Sequence, residues 1–156
     1  MIYFILCTYL AAAAMYIPPS LINCLCFARN NNMGDEQCLD VFSPIGCTTC
    51  GPLEITQTYF DTCTSSLFNP LTPPTLRDCA NNRVCGAECA KNYLISNIDT
   101  CNLAQGPAAL TCADWGRLHT TAPGGCLTPA ADAMEEARIS LFAANVQSCC
   151  DTIGKS

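Results

Sequence analysis

Fifteen of the 156 residues are cysteine, and this density constrains the fold more than any other feature of the chain. Such a density is typical of small secreted domains stabilised by disulfides, because reducing compartments keep thiols free and reactive. Cys7 lies in a hydrophobic leader, which leaves an even number of cysteines for pairing in the mature chain. We therefore predict a disulfide framework, with its pairing left open by the sequence, made of Cys24, Cys26, Cys38, Cys47, Cys50, Cys63, Cys79, Cys85, Cys89, Cys101, Cys112, Cys126, Cys149 and Cys150.

The N-terminal residues are apolar and have the character of a signal peptide. The predicted leader spans residues 1–14, and cleavage near residue 20 also fits the sequence. Pro18 and Pro19 interrupt the apolar run before it reaches the ~20 residues that a membrane-spanning helix needs. We expect one domain over residues 15–156, secreted to the extracellular space and without a membrane anchor once the leader is removed.

The charge is sparse and acidic, with seven Lys and Arg residues against thirteen Asp and Glu residues. Such a surface repels nucleic acids and anionic membranes, so neither is a predicted partner. No metal and no cofactor are predicted. Cys47-x-x-Cys50 has the spacing of a redox or zinc site, but the many other cysteines favour a disulfide there.

The first part of the mature chain shows little periodicity. Residues 24–50 predict an irregular segment, because they contain an Asn-rich polar stretch and a Ser-Pro-Ile-Gly turn. From Leu53 to Tyr59, apolar and polar residues alternate, which predicts a short strand. Residues 69–74 contain three prolines and predict a loop.

The second part of the chain is helical in pattern. Cys85, Cys89 and Tyr93 recur every four residues, as on one face of a helix. Pro107 suits the first turn of a second helix, which would continue through Leu110, Trp115 and Leu118 with Trp115 in the core.

A last helix is predicted from Thr128 as N-cap and Pro129 at the first helical position. Either Cys149 or Cys150 is expected to attach its far end. Its predicted apolar face consists of Met134, Leu141, Phe142 and Val146. The predicted fold class is therefore α+β: a mainly helical, disulfide-rich domain with a small β-sheet near its start.

Four cysteine-containing motifs occur in a recognisable order and spacing. They are Cys24-Leu25-Cys26, Pro44-Ile45-Gly46-Cys47, the block from Cys50-Gly51 to Tyr59-Phe60-Asp61-Thr62-Cys63, and His119-Thr120-Thr121-Ala122-Pro123-Gly124-Gly125-Cys126. With these motifs the chain resembles the invertebrate-type lysozyme, or destabilase, family from about Cys24 to Cys150. The resemblance implies a lysozyme-like fold that cleaves the β-1,4 linkage after N-acetylmuramic acid in bacterial peptidoglycan.

That chemistry requires an acid with a raised pKa and a second, ionised carboxylate. In the family the acid is a Glu three residues before a Cys, soon after Cys-x-Cys. The resemblance therefore points to Asp35 and Glu36, which stand third and second before Cys38, as candidate catalytic residues in a displaced position.

The family's second carboxylate, an Asp, lies between the cysteines matched by Cys47 and Cys50. Here that interval is only Thr48-Thr49, so the Asp is missing together with its hairpin. Asp40 or Glu54 could substitute, but the sequence does not place either of them.

Glu54, Tyr59 and His119 are the candidate substrate-binding residues, because they lie within the matched motifs. For His119, a structural role is the alternative to a substrate-facing one. Some family members resemble an isopeptidase that cleaves γ-glutamyl-lysine bonds with a serine nucleophile. We do not expect that activity, since the candidate serine belongs to the missing hairpin and no motif places a serine beside His119.

The sequence thus predicts a secreted lysozyme-like protein acting on peptidoglycan, and leaves open whether it hydrolyses its ligand. A catalytically inactive, glycan-binding homologue is the first alternative. An unrelated cysteine-rich structural or inhibitor module is the second.

Overall fold

The computed structural model describes residues 17–30, 42–65, 75–101, 110–121 and 129–153. These residues form a mainly helical domain with one two-stranded antiparallel sheet, which confirms the predicted fold class. The elements, in chain order, are α1 (Leu21–Asn30), β1 (Thr49–Cys50), β2 (Ile55–Thr56), α2 (Gln57–Thr64), α3 (Leu76–Ala80), α4 (Arg83–Ser96), a 3₁₀ helix (Ile98–Cys101), α5 (Cys112–Thr121) and α6 (Ala133–Ile153). No helix within these described ranges is long and apolar enough to cross a membrane.

Helix α1 corrects the prediction of an irregular segment, which was wrong for residues 24–30. The helix begins where the Leu21 backbone N–H donates to the Pro18 carbonyl at 2.9 Å. Leu21, Cys24 and Leu25 are completely buried, and α1 packs against α6. The Asn-rich polar stretch begins at Asn30, where this helix ends, and the prediction extended its irregular character back to Cys24.

Helix α6 was predicted correctly as a helix but not in its buried face. Phe142 and Val146 are buried as expected, whereas Met134 and Leu141 are 83% and 65% exposed. Ile139 joins the buried stripe, at the helical spacing of three to four residues from Phe142.

The start of α6 also differs from the prediction, because Asp132 caps it instead of Thr128. The Asp132 carboxylate accepts hydrogen bonds from the backbone N–H groups of Met134 and Glu135, at 2.8 and 3.0 Å. Pro129 precedes the helix and is not its first residue. Asp satisfies the free N–H groups of a first turn as well as Thr does and also favours the helix dipole.

The predicted strand over residues 53–59 is real only at Ile55–Thr56, and its second half is helical. Thr49 pairs with Thr56 and Cys50 with Ile55 across the sheet. The Thr56 hydroxyl then accepts the Tyr59 N–H at 3.2 Å and caps α2. The cap ends the strand, and a helix beginning at Gln57 buries Tyr59.

The helices predicted around Cys89 and Trp115 are present as α4 and α5. Helix α5 begins at Cys112, so Leu110 and Thr111 precede it and are not part of it as predicted. Pro107, the predicted first-turn residue, lies outside the described residues. Thr111 and Asp114 cap it reciprocally: the Thr111 hydroxyl accepts the Asp114 N–H, and the Asp114 carboxylate accepts the Thr111 N–H. Trp115 is completely buried, as predicted.

Disulfides connect these elements, as the cysteine count predicted. Every predicted cysteine in the described ranges is disulfide-bonded, while Cys38 and Cys126 lie outside those ranges. The pairs resolved are Cys24–Cys149, Cys47–Cys50, Cys63–Cys89, Cys79–Cys85 and Cys112–Cys150. Cys24–Cys149 joins α1 to α6 across 125 residues, and in the chain-entropy picture such a bond contributes about 5 kcal/mol.

Two glycines with positive φ allow a matched test of the turn that precedes β2. Gly51 has φ +69°, and a Cβ there would overlap the carbonyl oxygen of Ala80; Gly46 has φ +81°, and a Cβ there would meet no atom within 4 Å. We expect Gly51→Ala to lower the free energy of unfolding by about 2 kcal/mol more than Gly46→Ala. Both variants place a side chain at a positive φ, and only Gly51→Ala adds an overlap with Ala80. Urea unfolding of both variants measures the difference. Equal losses would contradict the close approach of Gly51 to Ala80.

Candidate functional site

The three candidate substrate-binding residues belong to one connected group of side chains, although His119 lies 60 residues beyond Tyr59 in the sequence. Aromatic and charged residues from α1, α2, α4, α5, α6 and the turn before β2 contribute to it. We call this group the Arg29–His119 cluster; its members are Arg29, Glu54, Tyr59, Tyr93, His119 and Phe142.

The buried half of the cluster is aromatic. The Tyr59 hydroxyl and His119 Nδ1 are 2.9 Å apart and hydrogen-bonded. The ring of Tyr59 stacks on that of Tyr93, with centroids 3.5 Å apart, and the His119 ring lies 6.1 Å from that of Phe142. Tyr59 and His119 are both buried, so they support the cluster from within the domain.

Arg29 is the cation of the cluster and stands at the last turn of α1. Its guanidinium carbon lies 4.6 Å from the centroid of the Phe142 ring, within the range of a cation–π contact. Its Nη1 forms an ion pair with Glu54 Oε2 at 3.1 Å. Burial lowers the pKa of Arg29, and Glu54 acts in the opposite direction by favouring the charged guanidinium. The side chain is only 15% exposed, so Glu54 provides its counter-charge at the edge of the core.

Glu54 is the part of the cluster that reaches solvent, with a side chain that is 48% exposed. Its backbone has φ +51°, a left-handed conformation that costs a non-glycine residue of order 1–3 kcal/mol. The turn holds this conformation, because the Glu54 N–H donates to the Gly51 carbonyl at 3.1 Å and β1 pairs with β2 on either side. A strained residue held at the surface beside a buried cation is typical of a functional position.

His119 is neutral in this environment. Burial is the main cause that lowers its pKa from the usual 6.5 to about 3, and the nearby Arg29 lowers it further. The Leu53 backbone acts in the opposite direction and raises this pKa, and Nε2 makes no hydrogen bond of ordinary geometry among the described residues. Burial also raises the pKa of Tyr59, and that of Tyr93 to about 12. Neither the imidazole nor the phenols therefore exchange protons near neutral pH.

Among the carboxylates whose side chains the structure describes, none is buried. Asp114 and Asp132 cap helices, and Glu135 and Glu136 pair with arginines. Hydrogen bonds from Arg117 are the main cause that holds the pKa of Glu136 down to about 2. A protonated acid at neutral pH needs burial, and none of these groups has it.

The candidate acids Asp35 and Glu36, and also Asp40, lie in residues 31–41, outside the described ranges. This segment follows Asn30 directly, one residue beyond Arg29. Cys47 and Cys50 are bonded to each other, with Thr48-Thr49 alone between them. In the described part of the chain, no group of three or more His, Cys, Asp or Glu side chains is arranged to hold a metal ion.

Sequence reasoning named Glu54, Tyr59 and His119 as candidates and did not name the other members of the cluster, Arg29, Tyr93 and Phe142. A signal for Arg29 was present, since it is the first charged residue in the sequence. Phe142 was predicted only as core, and it does pack in the core while its ring also receives the guanidinium. The contact depends on how α1 crosses α6, which local patterns do not report.

Comparison with known proteins gives one match. A family model described as Destabilase matches residues 19–142, which contain every member of the Arg29–His119 cluster. No curated protein and no solved structure matches the chain significantly. A family match over most of the chain rules against an unrelated cysteine-rich module.

The buried neutral His119 predicts a specific sensitivity to acid. Its pKa is about 3 in the folded protein and near 6.5 when unfolded, so below pH 6.5 the unfolded chain binds a proton that the folded one does not. Stability should therefore fall by about 1.4 kcal/mol per pH unit from this group alone between pH 6.5 and pH 3. Urea unfolding of the wild type and of His119→Gln across this range measures the slope.

Tyr59→Phe is the matched control, because it removes the hydrogen bond to Nδ1 and leaves the imidazole in place. We expect Tyr59→Phe to keep the acid-dependent loss and His119→Gln to reduce it. The same slope in all three proteins would show that His119 does not titrate as a buried group.

Proposed function

Since the chain belongs to the invertebrate-type lysozyme and destabilase family, we propose that it is a secreted lysozyme-like hydrolase acting on the glycan of bacterial peptidoglycan. The observation that carries the proposal is the assembly of Glu54, Tyr59 and His119 into one cluster. This cluster closes around the end of α1, directly before the segment that contains Asp35 and Glu36.

The reaction we propose is hydrolysis of the β-1,4 bond. Glu36 or Asp35 acts as the general acid that protonates the leaving oxygen, and water supplies the new bond at the sugar carbon. We assign this role to residues 31–41 because none of the carboxylates whose side chains the structure describes is buried. Glu54 contacts sugar hydroxyls with its exposed carboxylate, while Tyr59 and His119 hold the surface beneath it.

The proposed partner is peptidoglycan outside the cell. The leader-like N-terminus and the oxidised cysteines support secretion, since disulfides of this number persist only in oxidising compartments. The acidic net charge of −6 argues against attachment to the anionic cell wall through charge alone. Recognition would then depend on shape and hydrogen bonding at the cluster.

A second function, glycan binding without hydrolysis, is favoured by two features of the site. The Cys47–Cys50 bond closes over two threonines, which leaves no carboxylate in the interval where the family has its Asp. The carboxylate that does lie in the cluster, Glu54, is neutralised in part by Arg29. A glycosidase needs an ionised carboxylate free to stabilise positive charge on the sugar.

Release of reducing sugar from purified Gram-positive peptidoglycan distinguishes the two functions. We expect the oxidised mature protein to release sugar and Glu36→Gln or Asp35→Asn to reduce the rate by about 100-fold or more, because the proton donor is lost. Asp151→Asn is the matched control, since this exposed carboxylate lies near the end of α6, outside the cluster.

A co-sedimentation assay with insoluble peptidoglycan completes the test. Saturable binding without sugar release, by a protein whose fold is verified, would replace the hydrolase with the glycan-binding function. Neither binding nor release would contradict both.

A further inference from the structure

The Cys47–Cys50 disulfide closes a shorter loop than the four other disulfides whose pairing the structure describes. We propose that it is a thiol–disulfide exchange site, which small-molecule or protein thiols reduce selectively while the other disulfides stay intact. This exchange would occur at Cys47–Cys50, where the chain enters β1, and does not require that the protein bind or hydrolyse a glycan.

Cys47 is easier for a thiol to reach than either cysteine of two other disulfides. Cys47 is partly exposed on the segment that leads into β1, whereas Cys50 is 1% exposed. The pairs Cys24–Cys149 and Cys63–Cys89 are buried at both ends. An attacking thiolate must approach one sulfur directly, so Cys47 offers a target that those two pairs do not.

The Cys47–Cys50 bond also constrains the unfolded chain less than the other described disulfides do. It joins residues three apart in sequence, against 6, 26, 38 and 125 for the other resolved pairs. The stabilisation from a cross-link grows with the loop that it closes. Two other pairs, Cys79–Cys85 and Cys112–Cys150, contain a partly exposed cysteine, but each of them joins one helix to the next.

Hydrogen bonds of Ser43 hold the segment around Cys47 and Cys50 in place independently of the disulfide. The Ser43 hydroxyl accepts the Gly51 N–H at 2.6 Å, which closes the loop across Cys47 and Cys50. The Ser43 N–H donates to the Asn81 side chain at 2.8 Å, and the Ser43 carbonyl accepts from Asn81 and Arg77. The fold around the bond can therefore persist when the bond is broken.

The exchange balances with two thiols. A thiolate attacks Cys47 Sγ, forms a mixed disulfide there, and breaks the bond to Cys50, whose sulfur leaves with the electron pair and takes up a proton. A second thiol attacks the mixed disulfide, releases the oxidised dimer of the reagent and leaves Cys47 as a thiol. Cys50 Sγ lies 3.3 Å from the Cys47 carbonyl oxygen, so the new thiol has a hydrogen-bond acceptor in place.

The test is a time course with reduced glutathione on the oxidised, folded protein. Free thiols are trapped with N-ethylmaleimide and assigned by peptide mass spectrometry. We expect Cys47 and Cys50 to be trapped at least about tenfold faster than any other pair, with unchanged far-UV circular dichroism, and to re-form on adding glutathione disulfide. Another pair reacting first, or all pairs opening in one cooperative step, would overturn the proposal.

The double variant Cys47→Ser/Cys50→Ser is the second measurement. We expect it to fold and to lose the fast phase alone, because the Ser43 hydrogen bonds remain. A double variant that does not fold would show that the bond is structural, and a fast phase that persists in it would assign the reactivity to another pair. Either result contradicts the proposal.

Discussion

The packing of α1 against α6, cross-linked by Cys24–Cys149, is the interaction on which the candidate site depends. It places the end of α1 over the Phe142 ring, so that the Arg29 side chain is enclosed between an aromatic face and the turn before β2. Without that enclosure Arg29 would be an ordinary exposed cation, and its ion pair with Glu54 would be lost. The geometry of the site is thus a consequence of packing between two helices that are far apart in the sequence.

Burying polar groups in this cluster has a cost that the fold offsets only in part. Arg29 Nε and His119 Nε2 are buried without hydrogen-bond partners among the described residues, although such groups are usually satisfied. His119 remains neutral, and Glu54 adopts a left-handed backbone conformation. Costs of this kind accumulate where geometry serves a ligand more than it serves stability. These features support the proposal that the cluster is a recognition surface and that other carboxyl groups transfer the proton.

The sequence predicted the features that are local or chemically distinctive. The cysteine count predicted the disulfides, the spacing of Cys85, Cys89 and Tyr93 predicted α4, and the ordered motifs indicated the family. It failed where tertiary contacts decide. Helix α1 is held by its packing against α6, although a polar stretch follows it directly in the sequence. The cap at Thr56 ends the alternating pattern, and a helix begins at Gln57. The site followed the same division, since motifs found Glu54 and His119 but only packing reveals Arg29.

Hydrogen-exchange mass spectrometry, with and without a soluble muramyl oligosaccharide, tests most directly whether the Arg29–His119 cluster is the glycan surface. The account predicts slower exchange in residues 51–59 and at the end of α1, because these amides belong to the turn and helix that carry Glu54 and Arg29. Exchange on the outer face of α6 around Met134 and Leu141 should not change. Protection confined to α6, or no protection at ligand concentrations that saturate binding, would contradict the account.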